Sequence, residues 1–516
     1  MDHQKESGKL SINLIANIVA FVVHAGIQFF VVPILNQQVG NEAYGFISVA
    51  NEFVQYANIF TILLNGVVGR FVAFEVHRGE IKKANQYFNS VLVADVIISA
   101  AFTLVGIVFV SRVERILVIS PELVTDVKVI FGLTFFNFIL VTLFSVLNVA
   151  TFVKNRIDVA AVRNIIGYFV ELAVIAGLFL LMPAVKPYFL VAGTLAGTIF
   201  LTIANIGITW KLTPELKISL KDYRFGMMKN LLKTGIWSSI SQLASVLLGS
   251  TTLIMGNLFL GGNVVGLISL SKTIPNCLNT LFYAIYNVFT PNMVKSYAQG
   301  DIDGMVEQGR RSMKIMSFIL IPAVAGVLVF IPDFFELWVP GKSVEELASI
   351  TGYCRIVALG MLVEMPSLPL MYFAVATNKV RKDTLFTLTC SGVLLGLTYL
   401  GLRSFSMGGE VIVWSQTINM MVTFFLWTPG YAARTVGRKW STFYPCYLRC
   451  IMAAAVMISI YSVIKLIFTM STWIGFLLIA GCAGACGYLV AFAVLFSGDE
   501  KKAVLDKIQK VIRRNA

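Results

Sequence analysis

Charge is what this chain has least of. Asp, Glu, Lys and Arg make up 13% of its 516 residues, against about 25% in a soluble domain. Apolar residues reach 57% and mean hydropathy is +0.80. Histidines number three, and the seven cysteines all lie in apolar stretches. Cys446/Cys450 and Cys482/Cys486 have helical i,i+4 spacing, but no histidine is near either pair, so they read as small packing residues rather than metal ligands. No glycine-rich loop ends in Gly-Lys-Ser/Thr, and there is no nucleophile elbow or zinc spacing. These absences argue against an enzyme, against ATP-driven work by this chain and against any bound cofactor or metal. A cleavable signal is not expected: the polar lead is only 1–11, and the apolar run to Leu35 is too long and lacks a small-residue cleavage site.

What the chain has is apolar length. Runs of roughly 20 residues or more recur from end to end, enough to cross a hydrocarbon core of about 30 Å. Barrel strands would be about ten residues long and alternate apolar with polar. The reading is an all-α polytopic membrane protein with fourteen spans near 12–35, 43–70, 87–111, 126–150, 161–182, 188–210, 234–258, 264–291, 313–335, 348–375, 384–403, 410–432, 447–468 and 473–496. Most of the 41 Lys+Arg fall on alternate connections, so the formal net charge of +14 marks membrane orientation, with both termini cytoplasmic, rather than nucleic-acid binding.

The longest connection, 211–233, divides the chain into an N-lobe (1–210, spans 1–6) and a C-lobe (234–433, spans 7–12). Spans 13 and 14 (434–497) are an appendage, and 498–516 is a basic amphipathic tail. Within the linker, Leu216-Ile218-Leu220 and Phe225-Met227-Met228 sit among lysines, a pattern suited to the inner leaflet surface.

The chain writes one stretch twice. Shifted by 221 positions, Asn36, Gly40, Gly45, Ile47, Ser48, Asn58, Val67, Gly79 and Ile81 fall on Asn257, Gly261, Gly266, Ile268, Ser269, Asn279, Val288, Gly300 and Ile302 without a gap. Each half has an even number of spans, so the lobes share orientation and are expected to be related by a pseudo-two-fold along the membrane normal, as in paired transporter halves.

Polar stripes run along the repeated helices. Asn13, Asn17, His24 and Gln28 share one face of span 1, and Asn51, Gln55, Asn58 and Asn65 one face of span 2. The second half answers with Ser238, Ser245 and Gly249, then Lys272, Asn276, Asn279, Tyr283 and Tyr286. Such groups do not face lipid. They line a lumen or hydrogen-bond between helices.

Charges within spans are fewer: Glu52, Asp95, Glu171, Lys272, Arg355 and Glu364. Intramembrane ionisable groups are functional candidates by default. Lys272 and Arg355 suit phosphate oxygens, although a lysine there also snorkels. Arg70 is a third base or an anchor at the membrane edge. Glu52 sits next to the position matching Lys272, so the two are a candidate gate. Glu171 and Glu364 lie near mid-span as coupling carboxyls or static partners. Pro275, Pro366 and Pro369 mark spans 8 and 10 for kinks.

Gly40-x4-Gly45, Asn65-x4-Arg70-Phe71 and His77-Arg78-Gly79-Glu80-x3-Ala84-Asn85-x-Tyr87-Phe88-Asn89-Ser90 resemble polysaccharide repeat-unit flippases (Wzx type). So do Gly235-Ile236-Trp237, Leu258-Phe259-Leu260-Gly261 and Gly266 through Pro275. These flippases belong to the multidrug/oligosaccharidyl-lipid/polysaccharide exporter superfamily. The resemblance covers essentially the whole chain. It implies a bacterial inner-membrane protein that turns lipid-linked oligosaccharides to the outer leaflet by alternating access. Lys272, Arg355 and Arg70 would hold the pyrophosphate. Asn17, His24, Gln28, Asn51, Gln55, Asn58, Asn276, Asn279, Tyr283 and Tyr286 would meet the sugars, with Glu52, Glu171 and Glu364 in gating or coupling. It also implies membrane lipids as partners, work beside a polysaccharide polymerase and glycosyltransferases, and a cycle for which proton or sodium coupling stays open. Drug/cation antiporters of the superfamily use lobe carboxylates, and spans 1 and 7 here carry no acid. Lipid II flippases resemble a pattern with arginines in span 1, where this chain has none. A sporulation-type relative stays open. A membrane glycosyltransferase or polymerase would need large external loops, and these are short.

Overall fold

A backbone carbonyl inside hydrocarbon can be satisfied only by protein, so apolar runs of this length must coil. The computed structural model describes residues 2–154, 156–286, 293 and 296–502, and among them every regular element is helical. Twelve helices are long and apolar enough to cross a bilayer. The expectation of an all-helical, multi-pass membrane protein holds.

One of the twelve, Ala25–His77, has 53 residues, roughly 80 Å of helix at 1.5 Å per residue. It is not continuous. Gly40 interrupts it with φ 82° and ψ 170°, a combination essentially restricted to glycine. Gly261, 221 positions on, ends the helix Phe225–Leu260 with φ 83° and ψ 169°. The next repeated pair behaves alike. Gly79 and Gly300 have φ 79° and 74°. The Gly79 amide donates to the Val76 carbonyl and that of Glu80 to Glu75, at 3.0 and 2.9 Å, while Gly300 to Tyr297 and Asp301 to Ser296 are both 3.0 Å. These are two copies of one Schellman cap. The sequence repeat is a repeat of backbone conformation.

The chain divides into two compact units, Met1–Ser269 with Ser391–Gly409, and Leu270–Cys390 with Glu410–Ala516. The first contains α1 (Asp2–His77), α2 (Ile81–Ser111), α3 (Val124–Phe144), α4 (Ile157–Leu181), α5 (Phe189–Leu212), α6 (Phe225–Leu260) and most of α7 (Gly262–Ser271). Leu64, Val67, Val68 and Val72 of α1 pack with Tyr87, Phe88 and Val91 of α2 and with Leu216 and Leu231. Phe53, Phe109 and Phe131 join α1, α2 and α3 at ring-centroid distances of 4.6 to 5.8 Å, an aromatic contact worth about 0.5–1.5 kcal/mol per pair beyond area burial. In this structure α6 packs along α1 within the same unit. Glycines permit the approach: a Cβ on Gly235 would lie 2.0 Å from the Leu63 carbonyl oxygen. Likewise one on Gly45 would lie 2.8 Å from the backbone of Gly262 and of Gly266, and one on Gly266 2.0 Å from the Asn41 carbonyl oxygen.

The connection between α5 and α6 is held by side chains of α2. Asn85 donates to the Glu215 carbonyl (2.9 Å) and accepts from the Lys217 amide (2.7 Å). Asn89 donates to the Lys217 carbonyl and accepts from the Ser219 amide, both at 2.8 Å. The geometry is commensurate: four helical residues rise about 6 Å, and two extended residues span about 6.6 Å. Ser90 continues the ladder, bonding both the amide and the carbonyl of Arg224 at 3.1 and 3.2 Å. Leu216 turns inward, whereas Ile218, Leu220 and Phe225 are exposed, which fits the expected surface segment. Lys154 pairs with Glu215 at 2.7 Å. Partial burial raises the Glu215 carboxyl, but that ammonium outweighs it and holds it below its usual range.

The second unit contains α8 (Thr273–Tyr286), α9 (Ile302–Trp338), α10 (Val344–Ser367), the start of α11 (Val380–Ser404), α12 (Glu410–Met421), α13 (Tyr444–Ile467) and α14 (Trp473–Leu495). α9 is its spine, touching α10, α13 and α14. Ser343 and Glu346 form a capping box at the start of α10. The expected kinks are present: α7 and α8 part at Lys272, and α10 gives way to a tight turn at Leu368–Leu370. Pro275 has no amide proton to offer the Ser271 carbonyl, which places the first break. Cys446 and Cys450 are buried free thiols, packed as read from their spacing, whereas Cys482 and Cys486 are exposed on α14 and do not pack in the interior.

Two outcomes follow. Gly40→Ala and Gly261→Ala each lower stability by a similar amount, on the order of 1–3 kcal/mol for a residue forced into that backbone region. Thermal unfolding in detergent measures this, with the mid-helix Gly249→Ala, which meets nothing within 4 Å, as a control that keeps or gains stability; unequal losses would show that the breaks are not equivalent. The Asn85→Ala/Asn89→Ala variant loses four hydrogen bonds to the linker, of about 0.5–1.5 kcal/mol each. Trypsin then cuts at Lys217 and Lys221 at least about tenfold faster, and unchanged cleavage would mean that the linker is held by something else.

Candidate functional site

Each polar stripe is described within its own unit. Beyond Gly40, α1 presents Asn51, Glu52, Gln55, Asn58 and Asn65 at helical spacing. Asn51 is exposed and Gln28 half-buried. The Asn58 amide donates to Gln55 at 3.2 Å, so these two bond along the helix rather than across it. Among the described residues, hydrogen bonds cross from α6 to α1 at three places. Ser250 donates to the Glu52 carboxylate at 2.5 Å, Tyr56 and Thr251 share a bond of 2.6 Å, and Ser239 donates to the Ile59 carbonyl at 3.1 Å. Arg70 is exposed near the end of α1. Asn17 and His24 lie on α1 in turn, but their side chains fall outside the described residues, as do those of Ser238, Tyr283 and Tyr286.

A second polar assembly lies deeper in the same unit. Asp95 of α2 is fully buried and both its oxygens are engaged, by Asn65 at 2.8 Å and Ser145 at 2.9 Å. Ser145–Asn148 is a tight turn interrupting the Pro121–Val153 span. From it Asn148 accepts from Arg163 of α4 and from Asn205 of α5, both at 3.2 Å, and Arg163 also bonds Asn205. Arg163 lies inside α4 and bridges helices. Asp95 reads as an intramembrane acid but without its partners. The only sequence signal for the rest was polarity at isolated apolar-helix positions.

Glu171 is buried where α4 crosses α5, and Thr194 donates to it at 2.9 Å. Small residues permit that crossing: a Cβ on Gly197 would lie 3.1 Å from the Gly167 carbonyl and 3.4 Å from the Glu171 Cβ.

In the second unit, Lys272 occupies the break between α7 and α8 and is half-buried. Its carbonyl still accepts from the Asn276 amide at 2.9 Å. Asn276 is exposed, and Asn279 keeps a buried Oδ1 with no hydrogen-bond partner. α8 touches α10, the helix that carries Arg355 and Glu364. Arg355 is exposed, with Nε donating to the Leu328 carbonyl at 2.9 Å. Glu364 is buried one turn before the Leu368–Leu370 turn, its Oε2 unpartnered. Tyr447 and Ser367 bond carbonyls beside it, Val363 at 2.6 Å and Phe424 at 2.5 Å. The second unit thus brings two bases, two amides and a carboxyl onto two touching helices. Among the described residues, no group of three His, Cys, Asp or Glu side chains is placed to hold a metal ion.

This chain is similar to several known proteins. It is 25% identical to an uncharacterized membrane protein, EpsK, of Bacillus subtilis (strain 168), across 97% of this chain and 98% of that one. Its structure is similar to a multidrug resistance MATE family transporter of the MOP superfamily in an inward-facing conformation, with a TM-score of 0.66 at 14% identity, covering 83% of this chain and 97% of the other. It is also similar to the lipid II flippase MurJ in an inward closed conformation, with a TM-score of 0.61 at 15% identity, covering 92% and 97%. At those identities the likeness establishes a shared fold. The family model described as polysaccharide biosynthesis protein matches residues 34–338, which take in the α1 stripe, the repeat and Lys272. The resemblance read from the sequence holds, and the chain belongs to the polysaccharide biosynthesis protein family, with the fold of MOP-superfamily transporters.

Proposed function

We propose that this protein flips polyprenyl-pyrophosphate-linked oligosaccharide repeat units, the precursors of O-antigen, capsule or exopolysaccharide, from the inner to the outer leaflet of the bacterial cytoplasmic membrane by alternating access. The observation that carries the reading is the family match over 34–338, a stretch in which an amide-rich stripe in one half answers a stripe headed by lysine in the other. Lys272 and Arg355 hold the pyrophosphate as cations, with Arg70 at the membrane edge. Amides of α1 and α8 hydrogen-bond sugar hydroxyls, and the polyprenyl chain stays in lipid. Glu52, Glu171 and Glu364 serve gating or coupling, by protons or sodium.

The topology that goes with this has fourteen crossings. Gly40 divides one long helix into two, and α7 with α8 makes one broken crossing, adding two to the twelve helices. Both termini are cytoplasmic. The halves 1–210 and 234–433 are related by a pseudo-two-fold along the membrane normal, which accounts for Gly45 meeting its repeat mate Gly266. Residues near such an axis meet their own equivalents. Residues 211–233 link the lobes, 434–497 add the last two crossings, and 498–516 lie on the inner surface. Polysaccharide polymerase and glycosyltransferases are the partners on either side of the transport step.

The fold is shared with a transporter named for multidrug resistance and with a lipid II flippase, so the choice rests on side chains. Residues 12–35 and 234–260 contain no Asp or Glu, and 12–35 no Arg. A cation site and a span-1 arginine cluster both lack their groups there. In vesicles containing the purified protein, a fluorescent polyprenyl-pyrophosphate oligosaccharide reaches the opposite leaflet while a cationic dye is retained. Dye efflux without lipid movement would overturn the flippase reading. Lys272→Ala, at normal expression, lowers flipping about ten- to a hundredfold, the scale of one lost hydrogen bond to a charged group, and Lys272→Arg keeps part of it. Full activity of the alanine variant would remove Lys272 from the phosphate site.

A further inference from the structure

Where α6 begins, Gln86 of α2 and Arg224, Phe225, Gly226, Met227, Lys229, Asn230, Leu232, Lys233 and Ile236 line an open cavity of about 870 Å³. Three of these side chains are cationic and none is acidic. Phe225, Lys229, Lys233 and Ile236 recur at i, i+4, i+8 and i+11, so they share one face of α6, and all four are exposed. The face reads apolar, cation, cation, apolar. Glu215 and Asp222 are the only acids from 211 to 238. Glu215 is already engaged by Lys154, and neither Lys229 nor Lys233 pairs with a carboxylate among the described residues. The Arg224 guanidinium leans on the Lys221 and Tyr223 carbonyls at 3.3 and 3.0 Å, which orients it without neutralising it.

Depth fits a lipid headgroup. The apolar run of α6 starts at residue 234, directly after Lys233. Lys233 lies one residue before it and Lys229 five, roughly 1.5 and 8 Å along the axis. Headgroup regions occupy about 5–8 Å beyond the hydrocarbon on each side, and lysines at those positions reach back into them. The cavity is also fixed in place, because Ser90 bonds both backbone groups of Arg224.

We infer that the Arg224–Lys229–Lys233 cavity binds one anionic phospholipid, its phosphate held by the three cations and its upper acyl chains lying along Phe225, Leu232 and Ile236. Charge complementarity selects this occupant over a zwitterionic lipid, and the flanking apolar groups select a lipid over a bare anion. Only the leaflet, the cytoplasmic one, rests on the topology proposed above. The site is separate from the transport residues, so it is read without any flipping measurement.

The test is native mass spectrometry of the whole protein titrated with 1-palmitoyl-2-oleoyl-phosphatidylglycerol, with phosphatidylcholine of the same chains, or with inorganic phosphate. The wild-type protein retains one more phosphatidylglycerol than Arg224→Gln/Lys229→Gln/Lys233→Gln. Its affinity for that lipid falls at least about tenfold in the triple variant, since each juxtamembrane cation contributes on the order of 1 kcal/mol. Lys229→Arg/Lys233→Arg keeps the lipid, and so does Arg78→Gln/Lys82→Gln/Lys83→Gln, which removes three charges elsewhere. Should that triple variant not fold, Lys229→Gln/Lys233→Gln alone gives the same reading in smaller measure. Equal retention of phosphatidylcholine, equal loss on removing the distant charges, or displacement of the lipid by millimolar phosphate would each overturn the inference. A protein that binds the lipid yet flips nothing would leave this site standing and the proposed function fallen.

Discussion

Hydrocarbon offers no hydrogen bonds, and this one constraint shapes where the chain can break. Each interruption frees carbonyls that must be met by protein or hidden by packing. Here breaks within crossings sit before Pro275, around Ser145–Asn148 and at Leu368–Leu370, while Gly40 and Gly261 part helices where the proposed crossings end. The flanking polar groups follow. Asn36 donates to Asn41 across Gly40, and the buried Asn257 bonds both the amide and the carbonyl of Val118 just before Gly261. Asn148 ties three helices at the α3 break. The break at Lys272 leaves a cation instead of an amide, which is why that position stands out chemically.

The repeat makes the contrast sharper. Equivalent glycines adopt φ and ψ within a few degrees of each other, so the backbone of the two halves is the same device used twice. The side chains on it differ. Asn51 is an exposed amide and its mate Lys272 a half-buried ammonium; Glu80 caps nothing with its side chain, whereas its mate Asp301 accepts from the Gly304 amide at 2.8 Å. Doubling fixes geometry and leaves chemistry free to diverge.

Much of the fold was legible because it depends on short-range rules. Hydropathy gave the helices, the 221-residue offset gave the paired breaks, and Pro275 and Pro366 gave the kinks. The candidate site was less legible because its bonds join distant positions. Asn65 meets Asp95 30 residues away, Ser145 meets Asp95 across 50, and Asn85 reaches Glu215 across 130. No periodicity encodes such pairs. Arg163 illustrates the difficulty: a basic residue near a span end fits an anchor at the membrane edge as well as it fits a bridge between Asn148 and Asn205, and only packing reveals the second.

The packing of α6 on α1 sets the scale for movement. Among the described residues it includes three side-chain hydrogen bonds and the close approach of Gly235 to Leu63, while Gly45 and Gly266 bring α7 against α1. Hydrogen bonds between helices in a membrane average about 0.6 kcal/mol, so three contribute roughly 2 kcal/mol. Moving a two-state equilibrium from 1:99 to 99:1 takes about 5.5 kcal/mol of differential binding. On the proposed cycle these three hydrogen bonds fall within what substrate contacts and a coupling ion can outweigh. Glycine contacts suit the task, because surfaces that meet through backbone part without leaving side-chain cavities behind. Glu52 takes part in this contact through Ser250, so a change of charge near Glu52 acts directly on one of the bonds between α6 and α1.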